Sequence, residues 1–320
     1  MKGVLFGSFF LLTLLMSAQQ DYDSLYIKRI DDKLSLKFFL ENVSESFTYE
    51  NESNNSKYEI KPNTIIKTAV AVHYKFISFR VAYAPKAFSN PDQDEKGRTK
   101  IFNFDFSLYY KQWIQNFSYA NIKGFHGEVI SGDLPDGSIT TRLPDMRNVA
   151  FRGVTRYNFN KNYSFKALTS QNEVQRKSAG SFIPSVDYTY NILTDGQDDQ
   201  DINSFNINLN AGCFYTLVLK KRMYLAGGLS SGFGIEFNKV SSNQGTQKGQ
   251  ESVFNIEGYL GGGYNSETWF GGLYLNSAHM FRDQDASIVE FNTNRSVAQL
   301  FIGYRFNAPK VLKKIKVLEK

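Results

Sequence analysis

The 320-residue sequence predicts an all-β protein, an antiparallel transmembrane β-barrel of about 12 strands, and three observations carry that prediction. Apolar and polar residues alternate with a period of two over long stretches, the pattern of strands with two unlike faces. The chain opens with the marks of a secretory leader. Phe and Tyr are abundant, 28 and 19 residues against 7 Pro, and aromatic rings pack well on pleated surfaces. The mean hydropathy of −0.37 agrees with a barrel, which needs apolar side chains on only one face of each spanning strand.

The leader comes first. Lys2 supplies its charge, residues 4–16 its apolar run, and Ser17-Ala18 the small residues ahead of Gln19. That run is too short to cross a bilayer as a helix, so residues 1–18 read as a cleaved signal peptide. No later apolar run reaches spanning length. Residues 19–32 then form a periplasmic N-terminal segment, 33–306 an outer-membrane barrel, and 307–320 a basic periplasmic tail.

The strands follow in order at 33–49, 64–74, 76–85, 99–112, 115–124, 148–159, 178–192, 205–219, 223–238, 252–264, 268–281 and 296–306. The alternation is cleanest over 101–111, where Phe102, Phe104, Phe106, Leu108 and Tyr110 share one face, opposite Asn103, Asp105, Ser107, Tyr109 and Lys111. Asn206, Asn208 and Asn210 alternate in the same way with Ile207, Leu209 and Ala211. A soluble sandwich also alternates. The leader, the strand lengths and the aromatics near strand ends (Tyr109, Tyr110, Trp113, Trp269, Tyr304) favour a membrane wall with aromatic girdles.

Short turns at Lys75, 113–114, 160–161, 220–221 and 265–266 fall at one end of the barrel, the periplasmic end by the usual arrangement. Residues 162–192 must then make one net crossing, although they are long enough for two or three strands. One crossing gives 12 strands and three give 14. The expectation is 12, with part of 165–177 kinked, folded inward or lying at the rim.

Residues 157–181 read Y-N-F-N-K-N-Y-S-F-K-A-L-T-S-Q-N-E-V-Q-R-K-S-A-G-S. This resembles an uncharacterised family of bacterial outer-membrane β-barrels, known as a domain of unknown function, with a Q-x-E-x-Q-x-K-S-A-G-S signature. Gln171, Glu173, Gln175, Lys177, Ser178, Ala179, Gly180 and Ser181 match it. The closing Gly303-Tyr304-Arg305-Phe306 and the early Tyr58-x-Ile60-x-Pro62-Asn63 are also similar. The resemblance implies a barrel and an outer-membrane location, and brings no activity with it.

The signature is also the densest polar constellation. Gln171, Glu173, Gln175 and Lys177 have one parity, and polar side chains facing hydrocarbon would lose their hydrogen bonds. They are therefore expected in the lumen, either as a ligand site or constriction with Glu173 and Lys177 paired, or as a network that fills and stiffens the barrel. The other lumen candidates are Arg80, Asp105, Lys111, Arg152, Arg156 and Arg305, with Lys67, His73, Asp187 and Glu257 beside them. This row is mostly basic, which would favour anions in an open channel. Mutual pairing inside a plugged barrel is the other reading.

The net charge of +6 comes with no nucleic-acid motif. It is read as a solvated tail (Lys310, Lys313, Lys314, Lys316, Lys320) plus basic side chains inside the barrel. Val311, Leu312, Ile315, Val317 and Leu318 among these lysines leave open a short amphipathic helix or an extra strand. The single Cys213 excludes an internal disulfide and any zinc site of several cysteines. No residue cluster calls for a cofactor. His126 and His279 come with no evident nucleophile or oxyanion motif, so the chain is expected not to be an enzyme, an outer-membrane lipid- or glycan-modifying hydrolase being the minor alternative. The leading expectation is passive transport or binding of a small polar or anionic solute. The alternative is a structural or partner-binding barrel in an envelope assembly, with the tail as contact. Expected partners are outer-membrane lipid and, during biogenesis, the barrel-insertion machinery.

Overall fold

The structure is a computed structural model that describes residues 23–51, 56–63, 65–85, 96–131, 139–194, 196, 201–220, 222–242, 245–283 and 289–314. The expected leader, residues 1–18, and residues 315–320 of the expected tail lie outside the described residues.

Alternating side chains bury one face and expose the other only when a sheet has an inside, and here the sheet closes on itself. The ring runs through β2 (Lys33–Asn51), β4 (Ile65–Tyr74), β5 (Ile77–Tyr83), β6 (Lys100–Tyr110), β7 (Trp113–Ser131), β8 (Ile139–Tyr157), β11 (Ser185–Thr194), β12 (Asp201–Val218), β13 (Met223–Ser242), β14 (Gly245–Asn265), β15 (Trp269–Asp283) and β16 (Val289–Asn307). Every neighbour is antiparallel. Pairing of β16 with β2, from Asn307↔Lys33 to Val289↔Asn51, closes the ring. Closure leaves no bare strand edge. Four short strands lie off the ring: β1 (Ile27–Arg29), β3 (Ser56–Lys61), β9 (Glu173–Gln175) and β10 (Ala179–Phe182).

The polarity of the wall is inverted relative to a soluble protein. Along β12, Asn206 and Asn208 are buried, whereas Phe205, Ile207 and Leu209 point outward, Leu209 at 68% exposure. Phe233, Leu229, Leu260, Leu300 and Ile302 continue the outer apolar surface on β13, β14 and β16. Water does not tolerate so large an apolar patch and hydrocarbon does, which excludes the sandwich. At the short-turn end, Trp113, Tyr157 and Phe159 stack edge to face, as do Trp269, Tyr304 and Phe306. These are girdle positions. Tyr109, expected among them, instead faces the lumen and is buried.

The tight turns carry local strain. Lys75 and Lys111 both adopt left-handed backbone, φ 52° and 53°, a region uncommon for residues other than Gly, Asn and Asp. Each follows a Tyr and lays its ammonium over that ring, at 5.2 and 5.5 Å. The β6–β7 turn therefore falls at 111–112 rather than 113–114. Lys111 is a turn residue, not the lumen-wall residue that parity suggested. A turn does lie at the expected 160–161, closed by the Tyr163 N–H on the Asn160 carbonyl at 3.0 Å, but it leads into the barrel rather than directly to the next ring strand.

Residues 162–192 make one crossing, giving 12 ring strands. The expected strand over 178–192 is split at Pro184, which has no N–H to give to a ladder. β10 and β11 lie end to end along β12 on either side of it. The Ile183 N–H still donates to the Gly212 carbonyl at 2.7 Å.

At the loop end, β4 to β6 are short while β2, β7 and β8 each run 19 residues. β3 fills the gap, pairing with β2 on one side and β7 on the other. Gly124 allows β7 to bend into this cap: its φ is +95° and a Cβ would meet the Arg98 carbonyl oxygen at 2.3 Å. Thr99 Oγ1 donates to the Gly124 carbonyl at 2.7 Å and accepts from the Asn63 N–H at 3.0 Å. The Tyr58–Asn63 stretch thus ties the cap to the wall.

Candidate functional site

The lumen has two tiers, and the segment after β8 makes the lower one. Ser164 caps α1 (Phe165–Thr169) by accepting from the Ala167 N–H at 2.9 Å. The helix and the residue before its cap direct Phe165, Leu168 and Tyr163 into a core with Phe39, Tyr109, Phe270, Tyr274 and Phe301. Burying each such side chain contributes about 1.5–3 kcal/mol. Glycines on the wall make the room: a Cβ on Gly303 would lie 2.1 Å from the Phe270 ring, and one on Gly261 2.2 Å from the Tyr274 ring. Both rings can therefore lie flat beneath the plug.

Gln171 is the hub of this plug. It is fully buried, with φ 53°. Its side-chain oxygen accepts from Lys37 Nζ, and its amide nitrogen donates to the Tyr274 hydroxyl and, at 2.6 Å, to the Leu168 carbonyl. Lys37 also donates to the Thr169 carbonyl at 3.2 Å and lies 3.9 Å over the Phe301 ring. Arg305 donates to the carbonyls of Gln171 and Ser266 and, at 2.7 Å, to Asn265 Oδ1. Asn172 Nδ2 reaches the Lys75 carbonyl at 2.7 Å. One arc of the wall, from β15 through β16 and β2 to the β4–β5 turn, thereby holds the loop.

The rest of the signature leaves the lumen centre. β9 pairs with β1, Gln175 opposite Ile27. Gln175 Nε2 donates to the carbonyls of Asn162 and Lys177 at 2.8 and 2.9 Å. Glu173 does not pair with Lys177. Its Oε1 lies 3.4 Å from Lys166 Nζ, while the Lys177 ammonium sits 5.1 Å over the Tyr26 ring. A shared face for Gln171, Glu173, Gln175 and Lys177 would need one extended run, but Gln171 is left-handed and, of residues 171–177, only Glu173–Gln175 is a strand. A cleft of about 40 Å³ at this mouth, lined by Arg29, Lys161, Lys166, Tyr163 and Glu173 among others, has room for only a few waters.

The upper tier is charged and paired. Arg80 holds both carboxylate oxygens of Glu41 at 2.5 Å and also contacts Asp105. Arg152 donates to Asp187 at 2.6 Å, Arg156 to Asn116 Oδ1 at 2.8 Å, and Arg282 Nε to Glu236 at 2.8 Å. Lys67 is buried in the same wall, whereas His73, opposite Ser35 and next to the Lys75 turn, is buried at the level of the plug. Arg152 keeps 39% of its side chain accessible. Of the sequence candidates, Gln171 and Arg305 meet in the plug, Arg80 with Asp105 and Arg152 with Asp187 line the wall above, and Arg156 stands 5.8 Å over the plug's Phe165 ring. Lys37, Glu41, Tyr274 and Glu236 were missed. Ser35, Lys37, Phe39 and Glu41 share one parity, so the first strand already carried the signal for two of them.

In the cap, beyond the exposed Lys123–Asp145 pair, Glu128 binds Lys61 at 2.7 Å, Lys96 at 2.8 Å and His126 Nε2 at 3.0 Å. Burial would raise the Glu128 carboxyl, but the hydrogen bonds from Lys61, Lys96 and His126 win and hold it at about 2. Burial lowers His126. His279 lies on β15, its Nδ1 2.8 Å from Asn294 Oδ1 and its Nε2 3.2 Å from Ser277 Oγ.

Residues 21–306 match the family described as a domain of unknown function, DUF4421. The chain belongs to this family. No curated protein matches. Among solved structures, this DUF4421 chain is similar to the outer-membrane protease OmpT of Escherichia coli, with 9% identity, TM-score 0.40, and 87% and 98% of the two chains covered. It is also similar to the COG4313 outer-membrane channel of Pseudomonas putida F1, with 10% identity, TM-score 0.38, and 90% and 100% covered. A third is the toluene transporter TodX of Pseudomonas putida, with 10% identity, TM-score 0.27, and 87% and 90% covered. The DUF4421 chain is an outer-membrane β-barrel on the strength of its own closed ring and inverted wall.

Proposed function

We propose that this barrel admits a small polar or anionic solute to its loop-side lumen, with onward passage closed by the plug. The observation that carries this reading is the fully buried Gln171 hub beneath a wall of partly accessible arginines. The arginines already hold carboxylates, so an anionic solute would compete with Asp105 or Asp187 for them. Liposome swelling tests the reading. Vesicles carrying the intact chain should stay closed to small sugars and organic anions, and those carrying a chain with 161–177 replaced by a short Gly-Ser linker should swell. Rapid swelling with the intact chain would overturn it.

The tail supports a second reading, an envelope partner. α2 (Lys310–Lys313) buries none of its residues and leaves Val311 76% exposed among lysines.

A further inference from the structure

The outer wall carries a constellation that the lumen reading does not use. On β15, Trp269, Leu273, Leu275 and Phe281 point outward while Phe270, Tyr274 and Arg282 point inward. Ser277 and His279 have the outward parity. On β16, Leu300 and Ile302 point outward and Phe301 and Arg305 inward, which places Asn294 and Ser296 outside as well. The register sets His279 opposite Asn294 and Ser277 opposite Ser296.

The four side chains touch. Ser277 Oγ is 3.2 Å from His279 Nε2, His279 Nδ1 is 2.8 Å from Asn294 Oδ1, and the Ser277 and Ser296 hydroxyl oxygens are 3.3 Å apart. Asn294 Nδ2 donates to Thr48 Oγ1 at 3.3 Å, which turns its oxygen toward the imidazole. Accepting at that oxygen fixes the proton on Nδ1 and leaves Nε2 bare toward the serine. A nucleophile, a base and an orienter are thus in hydrogen-bond sequence, and such a set is recognised by geometry and roles rather than by order in the chain.

Its position limits what it can meet. Leu273 and Leu275 lie on the outer wall on its short-turn side, and the His279 ring stacks on Phe281 on its loop side. About eight residues separate Trp269 in the short-turn girdle from Ser277, roughly 27 Å along the strand. At a tilt of about 40° that is roughly 20 Å of height, near the loop-side rim of an apolar band about 25 Å tall. Lipid acyl esters lie at that depth.

We propose that Ser277 and His279, oriented by Asn294, form a hydrolytic centre for long-chain acyl esters of membrane lipids in the loop-side leaflet. Ser277 Oγ attacks the ester carbonyl as His279 Nε2 takes its proton. The bond from the acyl carbon to the lipid alcohol oxygen breaks, and His279 returns the proton to that oxygen. Water then attacks the acyl-serine, giving its proton to His279, and Ser277 leaves with that proton restored. Ester and water become fatty acid and alcohol, with no oxidant or reductant required. The Ser296 hydroxyl, beside the nucleophile and exposed on the outer wall, donates to the carbonyl oxygen as it gains charge. Asn294 and Thr48 are positioning residues. This centre stands independently of the lumen reading.

The test uses the full mature chain folded in detergent micelles mixed with phosphatidylethanolamine, with fatty-acid release and labelling by a long-chain alkyl fluorophosphonate as readouts. The intact chain should release fatty acid and carry the label on Ser277. Ser277→Ala should lose both, and His279→Ala should fall on the order of 10³-fold. Asn294→Ala should fall at least about tenfold and Asn294→Asp should recover, a rescue that loss of wall packing would not give. Heat-modifiable gel mobility reports that each variant is folded. No label and no fatty acid from the intact chain overturns the proposal, as does wild-type release by Ser277→Ala. Hydrolysis of a soluble short-chain ester with phosphatidylethanolamine left intact overturns the lipid assignment.

Discussion

At the scale of single residues, the plug depends on charges that meet neutral acceptors. Arg305 is 2% exposed and gives its hydrogen bonds to two carbonyls and an amide oxygen rather than to a carboxylate. Its removal would leave those acceptors buried without partners, at about 1–3 kcal/mol each. Arg305→Ala is therefore expected to lower stability by roughly 3 kcal/mol or more, read as an earlier midpoint in urea unfolding of the detergent-folded barrel. The cap responds instead to pH. Glu128 titrates at about 2 in the folded chain against an ordinary 4.5, so its contribution is complete above about 4.5 and is lost as pH falls toward 2. Acid should melt the cap of the wild type earlier than its wall, and Glu128→Gln should flatten that dependence. Proteolysis of the loop end at pH 3 and pH 7 measures it. Arg80, Asp105, Arg152 and Arg305 could be placed from parity alone, because alternation fixes faces. Which residues pair could not be read, since Glu41, Asp187 and Gln171 reach them from segments far apart in sequence.

At the scale of elements, the alternating runs located all the ring strands, and two of them, 33–49 and 223–238, began at the observed residue. The elements that escaped are short or irregular. α1 spans 5 residues, less than two turns and too few for a helical period to show. β3 was hidden because its role as a bridge depends on three neighbouring strands being short. The segment 162–192 did announce itself, since it was too long for its single crossing, and it became the plug. The ladder of the ring runs without the plug's backbone apart from β10, which continues β11 along β12. A chain with 161–177 replaced by a short linker should still fold into a heat-modifiable barrel, with a lower unfolding midpoint than wild type because the core around Phe165 and Leu168 is gone.

At the scale of the whole molecule, one sequence satisfies three solvents: hydrocarbon outside, a charged lumen at the loop end, and a protein core at the other. The alternation that predicts a wall leaves open whether its inner side meets water or more protein. That was decided by Lys37, Tyr274 and Arg305 converging on one loop. The family signature folds as a plug fixed inside a 12-strand ring. Hydrogen exchange on the full chain in lipid nanodiscs tests it most directly, read at the amides of 164–175. These amides should exchange orders of magnitude more slowly than those of a free peptide, in step with the ring strands. Exchange there at the rate of an open loop, while the ring stays protected, would contradict it.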